Sequence, residues 1–163
     1  MMLLTKLVVA QNTRAAGELS GAISTTIYLI RHAEKADNSK NTNLSEVGLM
    51  RASHWDDVFS AVQFDGIYAT NFNRTLQTAA PTALTQKITV TTYDPKEPNL
   101  DKIKKEHSGQ TILIVGHSNT IPDLVNKIIG QNVYPNIEET IFGNLYIVTI
   151  HGEIVNHQLL KSL

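Results

Sequence analysis

From residue 25 onward, the chain alternates between short runs rich in β-branched and aromatic residues and longer amphipathic segments. The short runs predict strands, and they span residues 26–30, 66–70, 88–93, 111–115 and 145–150. The amphipathic segments predict helices, and they span residues 45–62, 74–86, 99–107 and 121–129. Strict alternation of this kind predicts an α/β fold, a three-layer α/β/α sandwich with a mostly parallel central sheet.

The end of the chain departs from this alternation. The run at 145–150 is followed by His151-Gly152 and a further run at 153–160, which predicts a hairpin and therefore an antiparallel edge strand.

The first predicted helix carries one apolar face, formed by Val47, Met50, Ala52, Trp55, Val58, Phe59 and Val62.

Composition narrows the classes of function. The 163 residues carry a formal net charge of −1, and 42% of them are hydrophobic, as expected for one ordinary globular domain. So balanced a charge argues against nucleic acid as the partner. Because the chain has no cysteine, thiol nucleophiles, disulfides and cysteine-bound metals are excluded.

The first 24 residues are predicted to be a poorly structured lead-in or a remnant signal segment, followed by a single domain over residues 25–163. Lys6 interrupts the apolar start, which leaves a run shorter than the roughly 7–15 residues of a signal peptide. No run approaches the roughly 20 apolar residues of a membrane span. The sequence therefore leaves the location open between cytoplasm and export, and it leaves the oligomeric state open as well.

Polar residues that can carry chemistry directly follow three of the predicted strands. Arg31 and His32 follow the first strand, Arg74 lies just beyond the second, and His117 and Ser118 lie just beyond the fourth. Each alone has an ordinary interpretation as a surface cation or a capping imidazole. Because ligands of parallel sheets bind beyond the carboxyl ends of the strands, we expect these side chains to meet at one edge.

Arg74 stands at an unusual place for a cation. It opens a predicted helix that Asn71 or Asn73 would cap, and the positive end of the helix dipole disfavours a positive charge there. The position becomes favourable when an anion lies between the guanidinium and the free N–H groups of the helix.

Two guanidiniums and two imidazoles form a pocket for a dianion such as phosphate. An arginine fork grips two phosphate oxygens and stays charged at any working pH. An imidazole with a free nitrogen can attack phosphorus and form phosphohistidine. The neighbouring positive charges help to keep that imidazole unprotonated. A carboxylic acid is still needed to protonate the leaving alkoxide.

Three motifs together resemble the histidine phosphatase superfamily, in its small single-domain bacterial branch with the phosphoglycerate-mutase-like fold. They are residues 31–34 (RHAE), 74–79 (RTLQTA) and 116–118 (GHS), and the resemblance extends from residue 27 to about residue 150. It implies that His32 is the phosphorylated nucleophile, that Arg31 and Arg74 bind phosphate, and that His117 is the second catalytic histidine.

The resemblance also suggests lesser roles and leaves one role open. Asn38 and Ser118 are candidate substrate-binding residues, and Ser45 would cap the first helix. For the general acid we predict Asp94, which follows the third strand, with Glu97 and Glu34 as alternatives. An ordinary interpretation of Asp94 is a turn residue before Pro95.

The predicted activity is that of a metal-independent phosphomonoester hydrolase of the acid phosphatase type, without a cofactor. The short stretch between Arg74 and Thr111 leaves little room for a lid, which favours hydrolysis over mutase-type phosphotransfer. The substrate would be a small phosphomonoester or a phosphorylated protein side chain. Alternatives are a catalytically weak phosphate-binding or phosphoprotein-binding module, a phosphoglycerate-mutase-type phosphotransferase, and a metallohydrolase that uses His32, Glu34 and His117, although the guanidiniums would repel a divalent cation.

Overall fold

The computed structural model describes residues 23–96 and 104–162. In chain order the elements are β1 (Ser24–Arg31), α1 (Glu46–Val58), β2 (Gly66–Thr70), α2 (Asn73–Gln86), β3 (Val90–Tyr93), β4 (Thr111–Gly116), α3 (Thr120–Ile129), β5 (Asn144–His151) and β6 (Ile154–Lys161). Most of the predicted helix at 99–107 lies outside the described residues, but residues 104–106 are helical. Most of the predicted lead-in, residues 1–22, lies outside them too. None of the described helices is long and apolar enough to cross a membrane.

The strands form one six-stranded sheet in the order β3-β2-β4-β1-β5-β6. The four strands from β3 to β1 run parallel, and β5 and β6 each pair antiparallel with the strand before them. The predicted mostly parallel α/β sheet and its closing hairpin are therefore confirmed. The predicted antiparallel edge strand is confirmed as well, because the hairpin places β6 at the edge of the sheet, where it pairs antiparallel with β5.

Helices cover both faces of the sheet, as the alternating order predicts. Ile112 and Ile114 of β4 belong to a core that includes the buried face of α3. Leu113 and Val115, the intervening residues of the same strand, belong to a second core with residues of α1 and α2. Because successive side chains of a strand point to opposite faces, this division shows that the layers are helix, sheet and helix.

The apolar face predicted for the first helix is only partly correct. Ala52, Trp55 and Phe59 are buried, whereas Val47, Met50 and Val58 are 52%, 65% and 38% exposed. The helix also ends at Val58, four residues before the predicted end, with Phe59 as its C-cap.

Gly48 explains why α1 turns this face inward. A Cβ atom at Gly48 would lie 2.2 Å from the backbone oxygen of Glu34, so only a glycine lets the helix pack this closely. The buried residues then follow at helical spacing from Gly48, through Ala52 and Trp55. Ser45 caps the helix as predicted, since its side-chain oxygen accepts from the Gly48 N–H at 3.1 Å.

Replacing Gly48 with alanine should therefore destabilise the fold. The clash is with backbone, so we expect the free energy of unfolding to fall by about 1–3 kcal/mol despite the better helix propensity of alanine. Urea unfolding measures the change. Ser53→Ala, an exposed substitution on the same helix, is the control and should change it by less than about 0.5 kcal/mol. Equal stability of the two variants would contradict this account of α1.

Candidate active site

The ends of β1 and β4 and the first turn of α2, which follows β2, place four predicted site residues around one cavity: Arg31, His32, His117 and Arg74. Arg31, the last residue of β1, is the register partner of Gly116, the last residue of β4, so His32 and His117 both directly follow this pair. Their ring centroids lie 5.5 Å apart. The cavity has a volume of about 320 Å³, and its lining residues are Arg31, His32, Lys35, Ser39, Lys40, Arg74, His117, Ser118, Asn119 and Glu139.

His32 is buried and held by hydrogen bonds at two atoms. Its backbone N–H donates to the Gly116 carbonyl at 2.9 Å, and its Nδ1 lies 2.7 Å from the Ala33 carbonyl oxygen. Because a carbonyl can only accept, Nδ1 carries the proton and Nε2 keeps a free lone pair. This tautomer is the one that a nucleophilic Nε2 requires.

The environment keeps His32 neutral. Burial lowers the pKa of His32 to about 3, and the charges of Arg31, His117 and Arg74 act in the same direction, while the Ala33 hydrogen bond opposes them. The imidazole therefore stays unprotonated well below neutral pH.

His117 is fixed between two partners. Its Nδ1 lies 3.4 Å from Arg74 Nη2, and its Nε2 lies 2.9 Å from the Thr70 hydroxyl oxygen at the end of β2. Since a guanidinium only donates, Nδ1 accepts and Nε2 carries the proton. Burial lowers the pKa of His117 to about 4, with Arg74 and Arg31 as further causes.

Arg31 is almost completely buried and holds the loop that precedes β5. Its Nη1 donates to the backbone carbonyls of Glu138, Glu139 and Ile141 at 2.9–3.2 Å. Its Nη2 donates to the Glu139 carboxylate at 2.8 Å, and its guanidinium lies over the Phe142 ring. A phosphate would therefore compete with Glu139 for this guanidinium.

Arg74 approaches the same cavity from the first turn of α2. Its Nη1 donates to the backbone oxygen of Lys40 at 2.9 Å, and its guanidinium lies 4.5 Å above the Phe72 ring centroid. Its buried Nε has no hydrogen-bond partner among the described residues. An anion in the cavity would give this part of the cationic group a partner.

The predicted cap of α2 is wrong. The N-cap is Phe72, whose side chain cannot accept a hydrogen bond, and neither Asn71 nor Asn73 takes that place. Asn41 supplies the interaction instead, because its side-chain oxygen accepts from the Asn73 backbone N–H at 2.8 Å. The cap comes from a distant loop, which local sequence patterns do not show.

Comparison with known proteins agrees with the geometry. The model of the histidine phosphatase superfamily (branch 1) matches residues 27–95, which include Arg31, His32 and Arg74. The resemblance to the histidine phosphatase superfamily is confirmed. The sequence match ends before His117, whereas the motifs predict a resemblance up to about residue 150. No curated protein matches the sequence.

Solved structures show a similar fold over more than four fifths of the chain. The alpha-ribazole phosphatase of Shigella flexneri has a TM-score of 0.68 at 15% identity, over 84% of this chain and 96% of that one. The proposed phosphohistidine phosphatase SixA of Agrobacterium tumefaciens has a TM-score of 0.64 at 19% identity, over 84% and 98%. A phosphoserine phosphatase variant of Entamoeba histolytica, bound to phosphoserine, has a TM-score of 0.65 at 15% identity, over 82% and 95%. At these identities the three comparisons establish the shared fold.

The two carboxylates predicted as general acid that the structure describes, Asp94 and Glu34, have partners elsewhere. Asp94 is exposed, and its Oδ1 accepts from the Lys96 backbone N–H at 2.8 Å, so it stabilises its own turn. Glu34 forms an ion pair with Arg51 at 2.8 Å. Neither residue lines the cavity. Glu97 lies outside the described residues.

The two predicted substrate-binding residues are placed differently. Ser118 lines the cavity, and its hydroxyl donates to Glu139 at 3.2 Å. Asn38 does not line it, whereas the next two residues, Ser39 and Lys40, do. Glu139 is a site residue that the sequence analysis missed, and the only indication was an acidic pair in a stretch without helical or strand periodicity. Across residues 23–96 and 104–162, no group of three or more His, Asp or Glu side chains could hold a metal ion.

The neutral state of His32 predicts a pH dependence of stability. In the unfolded chain His32 has an ordinary pKa of about 6.5, whereas in the folded chain its pKa is about 3. Between these values the unfolded state binds more protons, so the free energy of unfolding falls as pH decreases. Urea unfolding at pH 7 and pH 5 should show a smaller loss for His32→Asn than for the wild type. An identical loss in both proteins would contradict the assignment.

Proposed function

We propose that this protein is a metal-independent phosphomonoester hydrolase that acts through a covalent phosphohistidine on His32. The observation that carries the proposal is the neutral imidazole of His32, with its free Nε2, in a cavity lined by Arg31, Arg74 and His117. A lone pair on nitrogen beside two guanidiniums suits attack on a phosphorus atom whose oxygens carry negative charge.

Binding of the phosphoryl group would use charges that are already in place. Arg74 has an unpartnered Nε, and Arg31 holds a carboxylate that a phosphate can replace. Because the Arg31 side chain is buried and the Arg74 side chain is partly buried, their attraction for an anion is stronger than it would be at a fully exposed surface. Lys35 and Lys40 add positive charge to the cavity lining.

The reaction then proceeds in two displacements at phosphorus. In the first, His32 Nε2 forms a bond to phosphorus while the bond from phosphorus to the ester oxygen breaks, and an acid gives its proton to the departing alkoxide. In the second, water attacks the phosphohistidine, the P–N bond breaks, and inorganic phosphate leaves with His32 restored. Arg31 and Arg74 stabilise the phosphoryl oxygens in both displacements. His117 stabilises them as well when its Nε2–H leaves the Thr70 hydroxyl and donates to a phosphoryl oxygen.

The substrate class is a phosphate on an accessible group, in a small phosphomonoester or on a protein side chain. The cavity volume of about 320 Å³ fits a phosphoryl group with a small organic part. Similarly folded proteins include one described as a phosphoserine phosphatase and one described as a phosphohistidine phosphatase. The basic residues Lys35 and Lys40 favour substrates with further negative charge.

Substitution of His32 tests the proposal. His32→Ala should reduce hydrolysis of p-nitrophenyl phosphate to background, because no other nucleophile faces the phosphoryl group in this account. EDTA should leave the wild-type rate unchanged. The matched control is His54→Ala, which removes an exposed imidazole of α1 that does not line the cavity. It should retain the wild-type rate.

Two outcomes would contradict the hydrolase. Substantial turnover by His32→Ala would exclude a phosphohistidine on this residue. Binding of vanadate by the wild type, together with failure to release any p-nitrophenol, would favour a phosphate-binding module instead. The ion pair between Arg31 and Glu139 is the observation that favours this alternative, since it partly fills the anion site.

A further inference from the structure

Glu139 is the acidic residue that the structure brings into the cavity. Among the described residues that line it, Glu139 alone carries a carboxyl group. We propose that Glu139 is the general acid of the reaction proposed above, on which this assignment rests. It would protonate the leaving alkoxide and later accept a proton from the attacking water.

The loop that carries Glu139 is held firmly at the cavity. The Ile137 backbone N–H donates to the Ser118 carbonyl at 2.8 Å, next to His117. On the other side of Glu139, Arg31 donates to the carbonyl of Ile141 at 3.0 Å. These contacts fix the backbone on both sides of Glu139 relative to the two strands that end at the site. A catalytic group needs this kind of support from its neighbours.

The carboxylate itself has partners in the site and remains accessible. Its Oε2 accepts from Arg31 at 2.8 Å and its Oε1 accepts from the Ser118 hydroxyl at 3.2 Å. The side chain is nevertheless 74% exposed. A leaving group that extends from the phosphate toward solvent can therefore reach it.

Substrate binding would change the charge around Glu139 in the direction that an acid requires. In the free protein, Arg31 lowers the pKa of Glu139, and Lys35 acts in the same direction. A phosphate that takes the Arg31 guanidinium weakens this attraction and adds negative charge beside the carboxylate. Both effects raise the pKa of Glu139. The proton can arrive with the substrate, because a phosphomonoester has a second pKa of about 6.

The proton balance closes over the two displacements. In the first, protonated Glu139 transfers its proton to the alkoxide oxygen as the P–O bond breaks, which gives an alcohol, a phosphohistidine and a carboxylate. In the second, that carboxylate takes a proton from water as the water oxygen bonds to phosphorus and the P–N bond breaks. The products are inorganic phosphate, neutral His32 and protonated Glu139, so one water is consumed in each cycle.

The test compares two esters that differ in their need for an acid. The alkoxide of glycerol 2-phosphate leaves poorly without a proton, whereas the aryl oxide of p-nitrophenyl phosphate leaves well without one. For Glu139→Gln, kcat/KM should fall by about 100-fold or more with glycerol 2-phosphate. With p-nitrophenyl phosphate it should fall by less than about fivefold, since the general acid contributes little there.

Glu138→Gln is the matched control, because it removes the same charge from the adjacent exposed residue. Its two kcat/KM values should stay close to those of the wild type. Retained hydrolysis of p-nitrophenyl phosphate by Glu139→Gln also shows that this variant is folded.

Other outcomes overturn the assignment and separate it from the proposed function. An equal loss on both esters would make Glu139 a positioning residue, and a gain on both would make it only a competitor for Arg31. No change on either ester would remove it from the reaction. In these three cases a His32-dependent hydrolysis would still stand. If the wild type hydrolyses neither ester, the proposed function fails and the Glu139 assignment fails with it.

Discussion

The site depends on the parallel register of β1 with β4 and of β4 with β2. Arg31 pairs with Gly116, and Ala69 pairs with Val115. His32 and His117 directly follow the first pair, and Thr70, which follows Ala69, lies one residue before that level, so the three residues lie close together at one edge of the sheet. A shift of one residue in β1 would turn its core side chains to the opposite face, so the packing on both faces fixes this register.

Burial of positive charge beside the two imidazoles gives the site its chemical character. Arg31 keeps its charge in the interior because backbone carbonyls and the Glu139 carboxylate accept from its guanidinium. Desolvation, aided by the arginine charges, keeps His32 and His117 neutral. The result is a site with strong attraction for an anion and an unprotonated nitrogen, the combination that phosphoryl transfer to histidine requires.

The sequence predicted those features that depend on local patterns. The strand periodicity and the residues that come after each strand were sufficient to predict that Arg31, His32, Arg74 and His117 lie at one edge of the sheet. Glu139 was missed because its place is set by a contact with Arg31, 108 residues earlier in the chain. The same limit applies to the cap of α2 and to the buried face of α1, which depend on Asn41 and on the contact between Gly48 and Glu34. Asp94 follows a strand as expected, but its side chain accepts a hydrogen bond from the Lys96 backbone N–H within its own turn.

The most direct test of the central claim is a crystal structure of the protein with orthovanadate, which imitates the phosphoryl group during transfer. The account predicts vanadium bonded to His32 Nε2, with its oxygens in contact with Arg31, Arg74 and His117. Vanadate bound without contact to His32, or absent from this cavity while bound elsewhere on the protein, would contradict the claim.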